Sequence, residues 1–235
     1  ASSPYWKRPR YGYFWWLQQE PESYAAMGFG GQLIYVFPQQ DMVMVLSGAY
    51  ENSGDALRNS VVRAAQSDQP LPPNPDAQQR LQLAINALQF PKPVAVLPLP
   101  TLANQISGKL YTLPLNNEMW TAIGLTFKDE QALLTLDVHG TRLQIPVGLD
   151  GIYHITQAGL PALAGWLRPL SDVPLAARGS WKTDTHFAIS MRDLMGMQEL
   201  ELSLDFKDGL KVELLENYAV SNSLPYSFTW TATPQ

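Results

Sequence analysis

Short apolar runs recur along the chain, and their character changes near residue 70. Tyr11 to Leu17 reads as a strand, because aromatic residues favour a pleated, half-buried surface. Glu20-Pro21-Glu22-Ser23 carries turn chemistry. Gly28-Phe29-Gly30-Gly31 leads into a second strand, Gln32 to Phe37, stopped by Pro38. Gln39-Gln40-Asp41 reads as a hairpin turn. Met42 to Leu46 is a third strand, apolar at every position and so expected to lie centrally with both faces covered. Leu57, Val61, Val62 and Ala65 stand at helical spacing behind Asn52 and Ser53, either of which suits an N-cap.

Four prolines in the six residues Pro70 to Pro75 mark a stiff, extended linker. Asp76 to Leu88 predicts a short amphipathic helix with Leu81, Ile85 and Leu88 on one side. Phe90 to Pro100, again punctuated by proline, reads as extended. From about Ile106 the period becomes two. The strands expected are Gly108–Leu113, Ala122–Phe127, Ala132–Val138, Thr141–Val147, Gly151–Thr156, Ala176–Trp181, Thr185–Met191, Leu200–Phe206, Leu210–Glu216 and Tyr226–Thr233. Turn signals fall between them at Lys128-Asp129-Glu130, His139-Gly140, Lys182-Thr183-Asp184 and Lys207-Asp208-Gly209. Short strands at this spacing predict a closed antiparallel barrel or a sandwich, and a closed barrel leaves no free edges. The domains expected are therefore 1–69, a proline-rich linker with a short helix over 70–98, and an antiparallel β-barrel over 99–235. The fold class is α+β, mostly antiparallel β.

Composition narrows the function more than the fold. The 235 residues suit one large domain or two small ones. Hydrophobic residues make up 46% and charged residues 16%, which excludes a disordered or coiled-coil chain. The net charge is −5 with no cluster of positive charge, so no nucleic-acid partner is expected. The absence of cysteine removes disulfides, thiolate metal sites and cysteine nucleophiles together. No apolar run approaches the roughly 18 residues of a membrane span, and no basic segment followed by an apolar one opens the chain.

Catalytic motifs are scarce. His139, His154 and His186 are far apart and form no ligand spacing of the usual kind, so no metal is expected. They read as one turn histidine and two strand histidines, although folding can bring strands together. There is no G-x-S-x-G elbow and no Ser-x-x-Lys pair. Ser3 and Lys7 stand four apart and carry little. Gly28 to Gly31 lacks the lysine of a phosphate-binding loop and leads into a strand, not a helix. Asp129 with Glu130, and Glu199 with Glu201, read as solvated turns and strand faces. Strand alternation puts Trp15 and Trp16 on opposite faces, at least one of them in a core. Met191, Met195 and Met197 read as fillers of a barrel end.

The series Tyr11-Gly12-Tyr13-Phe14-Trp15-Trp16-Leu17, then Gly28-Phe29-Gly30-Gly31-Gln32-Leu33-Ile34-Tyr35-Val36-Phe37-Pro38, then Asp41-Met42-Val43-Met44-Val45 resembles the last part of the serine β-lactamase and penicillin-binding-protein-like hydrolases, in the class C β-lactamase and esterase branch. The resemblance covers about residues 5–67. It implies consecutive antiparallel strands with a C-terminal helix, here Ser53–Gln66, packed on them. The remainder is similar in style to the lipocalin-like barrels of D-aminopeptidase-type relatives, through Val147 to Tyr153 and through Ala177 to Trp181 with Asp184 and Phe187.

What the resemblance implies is acyl-serine hydrolysis of an amide, ester or peptide, without a cofactor. The serine attacks a carbonyl, lysine and tyrosine manage its proton, and backbone N–H groups hold the oxyanion. The Ser-x-x-Lys and Tyr-x-Asn motifs of such enzymes would precede this chain. Tyr50-Glu51-Asn52 has the right letters but follows the glycine-rich strand instead of preceding it. Catalytic residues are therefore expected to be missing here, and the chain alone inactive. The third motif would fall within Ser23 to Gly31, where no Lys- or His-Thr-Gly stands. Gly28, Phe29, Gly30, Gly31 and Gln32 become the candidate substrate-binding residues, although such glycines equally suit a plain bulge. The expected partner is the N-terminal hydrolase segment or a second copy of the chain, and the location periplasmic or secreted. The competing expectation is a non-catalytic barrel that binds a small apolar ligand or an envelope component.

Overall fold

The computed structural model describes residues 10–19, 22–28, 31–47, 54–116, 118–138, 140–156, 174–194, 198–218 and 226–235. Its contacts divide the chain into two compact units that change over between Gln79 and Arg80.

The first unit is a five-stranded antiparallel meander. Its strands are β1 (Arg10–Gly12), β2 (Trp15–Gln19), β3 (Glu22–Met27), β4 (Leu33–Phe37) and β5 (Met42–Leu46), paired in chain order. Helix α1 (Gly54–Ala64) follows. Alternation along β3 and β4 puts Ala25, Leu33, Tyr35 and Phe37 on one face, where they are buried. Val61 and Val62 of α1 and Met42, Met44 and Leu46 of β5 pack against them. Burying a side chain of the size of Tyr35 or Phe37 stabilises by about 1.5–3 kcal/mol. Arg58 of α1 lies with its guanidinium 5.9 Å from the centre of the Tyr35 ring. On the opposite face Tyr24, Val36 and Val43 stand in register, as do Ala26, Ile34 and Val45.

Three expectations for this unit need correction. Tyr11 to Leu17 is a tight hairpin instead of one strand. Gly12 pairs with Trp15 across a two-residue turn, with φ of 52° at Tyr13 and 68° at Phe14. Positive φ at both central positions is what a type I′ turn requires, and the flanking aromatics gave no sign of it. Second, Glu22 and Ser23 open a strand, so the sheet has five members where three were expected. Third, Met42 to Leu46 forms the edge strand rather than a covered central one. Its alternate residues Val43 and Val45 are 60% and 65% exposed. Trp15 and Trp16 do face opposite ways, yet both are only half-buried. Trp16 packs on Tyr11, and Trp15 meets Tyr24 edge-on.

Helix α2 (Pro75–Gln89) forms where expected. The Asn74 side chain accepts the Ala77 N–H at 3.0 Å and Pro75 takes the first turn, a favourable N-terminal pairing. The stripe of Leu81, Ile85 and Leu88 is exposed rather than buried. A short helix, α3 (Thr101–Ile106), lies just beyond the extended stretch and buries Ala103 and Ile106.

All ten strands expected of the second unit form. They are β6 (Lys109–Thr112), β7 (Trp120–Lys128), β8 (Gln131–Val138), β9 (Thr141–Gly148), β10 (His154–Thr156), β11 (Leu175–Trp181), β12 (His186–Asp193), β13 (Gln198–Asp205), β14 (Leu210–Tyr218) and β15 (Tyr226–Pro234). Nine of them close a barrel, because β15 pairs with β6 and β9 meets β11. An odd number of alternating strands cannot close without one parallel junction. That junction is β9 with β11, where Arg178 pairs with Gly148. β10 stands outside the ring, antiparallel to β11.

Two glycines allow close approaches beside the junction. A Cβ on Gly179 would lie 2.9 Å from Val147 Cγ1 of β9 and 2.8 Å from the Phe187 ring, and one on Gly148 would run into the Ile152 carbonyl oxygen of the β9–β10 connection. The interior is filled by side chains. Trp120, Ile123, Leu134, Leu136, Ile145, Phe187, Ile189, Met191, Leu202 and Leu204 are among those at 1% exposure or less. Met191 thus fills the interior as expected, whereas Met195 and Met197 lie outside the described residues. Small barrels of this order are packed cores or hold one small ligand.

Candidate functional site

Of the five residues expected to bind substrate, Gly28, Gly31 and Gln32 lie in the loop joining β3 to β4, and Phe29 and Gly30 fall outside the described residues. The Gly28 N–H donates to the Gln32 carbonyl at 2.8 Å, which closes the hairpin. Gly31 has φ of 81°, a left-handed conformation that favours glycine. Gln32 is exposed. Gly31 therefore has a structural reason of its own, and the Gly28 amide is already engaged. Ser3, Lys7, the Tyr50-Glu51-Asn52 triplet and the helix caps Asn52 and Ser53 lie outside the described residues.

The histidines each go a separate way. His139 lies outside the described residues. His154 Nε2 stands 3.7 Å from Asp150 Oδ1, beside the barrel junction. His186 Nε2 is 2.8 Å from Ser203 Oγ on the outer face of β12 and β13. No group of three or more histidine and carboxylate side chains suited to a metal occurs among the described residues.

The concavity with converging polar groups is on the outside of the barrel. It is a groove of about 720 Å³. One wall is the extended segment Val94 to Leu99, tied at its start by the Val94 N–H donating to the Asp150 carbonyl at 2.8 Å. The floor is the outer face of β11, β12 and β13. Register sets the floor out in rows: Ser180, Ala188 and Ser203 stand side by side, then Arg178, Ser190 and Glu201. Small residues down the middle make the depression, and charged ones stand on its two flanks.

Side-chain contacts fix part of this surface. The Arg178 guanidinium lies 4.5 Å from the centre of the Tyr153 ring, and the Arg192 guanidinium lies 5.2 Å from the same ring. Arg178 also donates to the Gly151 carbonyl at 3.3 Å. The Tyr153 hydroxyl and Ser190 Oγ are 3.0 Å apart. Arg192 donates twice to Glu199, at 3.0 and 2.8 Å, and this bond holds the arginine above its ordinary pKa.

Sequence reading identified Glu199 and Glu201 as a strand face but missed the groove. The signal was present in the period-two pattern, where the outward positions of three successive strands hold serine, alanine or a charge. What the pattern could not show is that an apolar segment some eighty residues earlier in the chain forms the facing wall. Val147 to Tyr153 and Ala177 to Trp181, quoted above for the barrel resemblance, meet at the β9–β11 junction and border this groove. Comparison with known proteins finds no matching family model, no matching curated protein and no matching solved structure.

Proposed function

We propose that this chain is the C-terminal part of an acyl-serine hydrolase acting on an amide, ester or peptide bond, with the nucleophile on residues outside it. The observation that carries this reading is the unit built from β1 to β5 and α1. Its glycine-bearing loop, proline stop, apolar strand and following helix occur in the order that the resemblance implies. In this reading the β3–β4 loop from Gly28 to Gln32 lies along the substrate, and the lipocalin-like barrel is an appendage. The apolar outer face of the sheet supports a partner that covers it: the N-terminal hydrolase segment or a second copy of the chain. A periplasmic or secreted location belongs to the same reading.

The chain alone is expected to give no turnover of a chromogenic ester or β-lactam above buffer. Supplying the upstream coding segment, expected to contain Ser-x-x-Lys, is expected to restore hydrolysis and labelling by a serine-directed probe on that segment. A covalent probe adduct on this chain alone, or an upstream sequence without Ser-x-x-Lys, would overturn the reading.

A second reading, a non-catalytic binding module, is favoured by the polar groove on the barrel. It moves the ligand from the side-chain-filled interior to the outer face.

A further inference from the structure

We infer that the groove on the outer face of β11 to β13 is a binding site for a short zwitterionic peptide of two or three residues. The site lies wholly in the barrel unit and does not depend on the hydrolase reading.

The inference starts from the two flanking charges. Arg178 and Glu201 stand in the same row, separated by Ser190 on the strand between them. Two inter-strand spacings put their backbones about 9–10 Å apart. Among the described residues neither side chain has an ion-pair partner, whereas the neighbouring Glu199 is neutralised by Arg192. Arg178 is held by the Tyr153 ring and the Gly151 carbonyl, so its charge is positioned before any ligand arrives. Lys182 adds a second positive charge on that flank.

An occupant must match a cation on one flank and an anion on the other. A phosphate or other simple anion leaves Glu201 unanswered. An apolar ligand would cover the charges without pairing them, which is costly. An extended peptide advances about 3.3 Å per residue, so two or three residues carry an ammonium and a carboxylate about 7–10 Å apart. The carboxylate is then placed at Arg178 and the ammonium at Glu201. The floor of Ser180 and Ala188 admits the peptide backbone, and Ser180 offers it a hydroxyl group, that of Ser190 being engaged by Tyr153. Val94, Val96 and Leu97 on the facing wall suit small apolar side chains.

Isothermal titration of the full chain with trialanine, N-acetyl-trialanine and trialanine amide tests this. Trialanine is expected to bind, and each blocked peptide to bind about tenfold more weakly, as the loss of one charge-assisted hydrogen bond implies. In Glu201→Gln the penalty for acetylation is expected to vanish while that for amidation persists. In Arg178→Gln the reverse is expected. Both changes are on the outer face, and circular dichroism checks that the barrel still folds. No heat with trialanine at millimolar concentration, equal binding of all three peptides, or the same discrimination in both variants would overturn the site.

Discussion

The two units solve the same problem to different extents. In the barrel every strand of the ring has a neighbour on both edges, and one continuous core fills the inside. In the β1–β5 unit the sheet is open, one face is covered by α1, and the other shows Ile34, Val43 and Val45 to solvent. Closure removes both edges and the second face at once, so the barrel needs nothing more to be complete. An open sheet with apolar residues on both faces is a middle layer, and its stability depends on what is laid against it.

The largest expected effect tests the self-sufficient half. Leu134→Ala or Leu202→Ala empties a fully buried position and is expected to cost about 2–5 kcal/mol, read from urea unfolding of the barrel. A loss below 1 kcal/mol would mean that the interior is loosely filled. Gly148→Ala comes next. The added methyl meets the Ile152 carbonyl in the connection from β9 to β10, so a cost of about 1–3 kcal/mol or more is expected, with faster amide exchange along β9 and β10. A neutral result would mean that the connection shifts to admit the methyl.

In the open sheet the expected effects are smaller, and one has the opposite sign. Tyr13 is 98% and Phe14 86% exposed, and both sit at left-handed φ. Replacing the pair by Asn-Gly relieves strain of order 1–2 kcal/mol per residue, so the thermal midpoint of the sheet unit is expected to rise. A fall would show that these two rings are held by contacts. Val43→Ala and Val45→Ala are expected to change stability by no more than about 0.5 kcal/mol in the isolated chain. The same substitutions should cost as much as core changes once a covering partner is bound, and the difference between the two measurements sharpens the contrast between the units.

The smallest effect is a pH dependence on the barrel surface. Two hydrogen bonds from Arg142, at 2.8 and 2.7 Å, hold the Asp137 carboxyl below its ordinary pKa. The stabilisation from a lowered pKa is complete above the unfolded value, about 3.9, and is lost as pH falls through the lower folded value. Asp137→Asn is therefore expected to flatten the acid limb of the stability profile, with a small loss of stability above about pH 4 and no change at the acid end. Acid titration of the unfolding midpoint checks it.

The legibility of the fold divides along the same line. Period-two alternation located every barrel strand, because each has one face in the core and one in water, and that asymmetry is written into the residues. It located the first sheet less well. β5 reads as doubly covered because both of its faces are apolar, yet it lies at the edge, and alternation alone cannot say whether the second cover is present. The hairpin at Tyr13-Phe14 was hidden because its turn uses aromatics where glycine or asparagine is usual. The amphipathic stripe of α2 was visible, but the exposure of Leu81, Ile85 and Leu88 was not. The groove was the least legible feature. Its floor is local to three strands, whereas its wall comes from distant chain, and only folding brings the two together.

The pairing of β15 with β6 sets an order of events during synthesis. Pro234 stands opposite Tyr111, and the Gln235 N–H donates to the Leu110 carbonyl at 3.1 Å, so the last-made strand completes the ring beside the first. The ring keeps two unpaired margins until β15 has been made. A chain deprived of β15 would be left as a permanently unzipped cylinder prone to joining its neighbours.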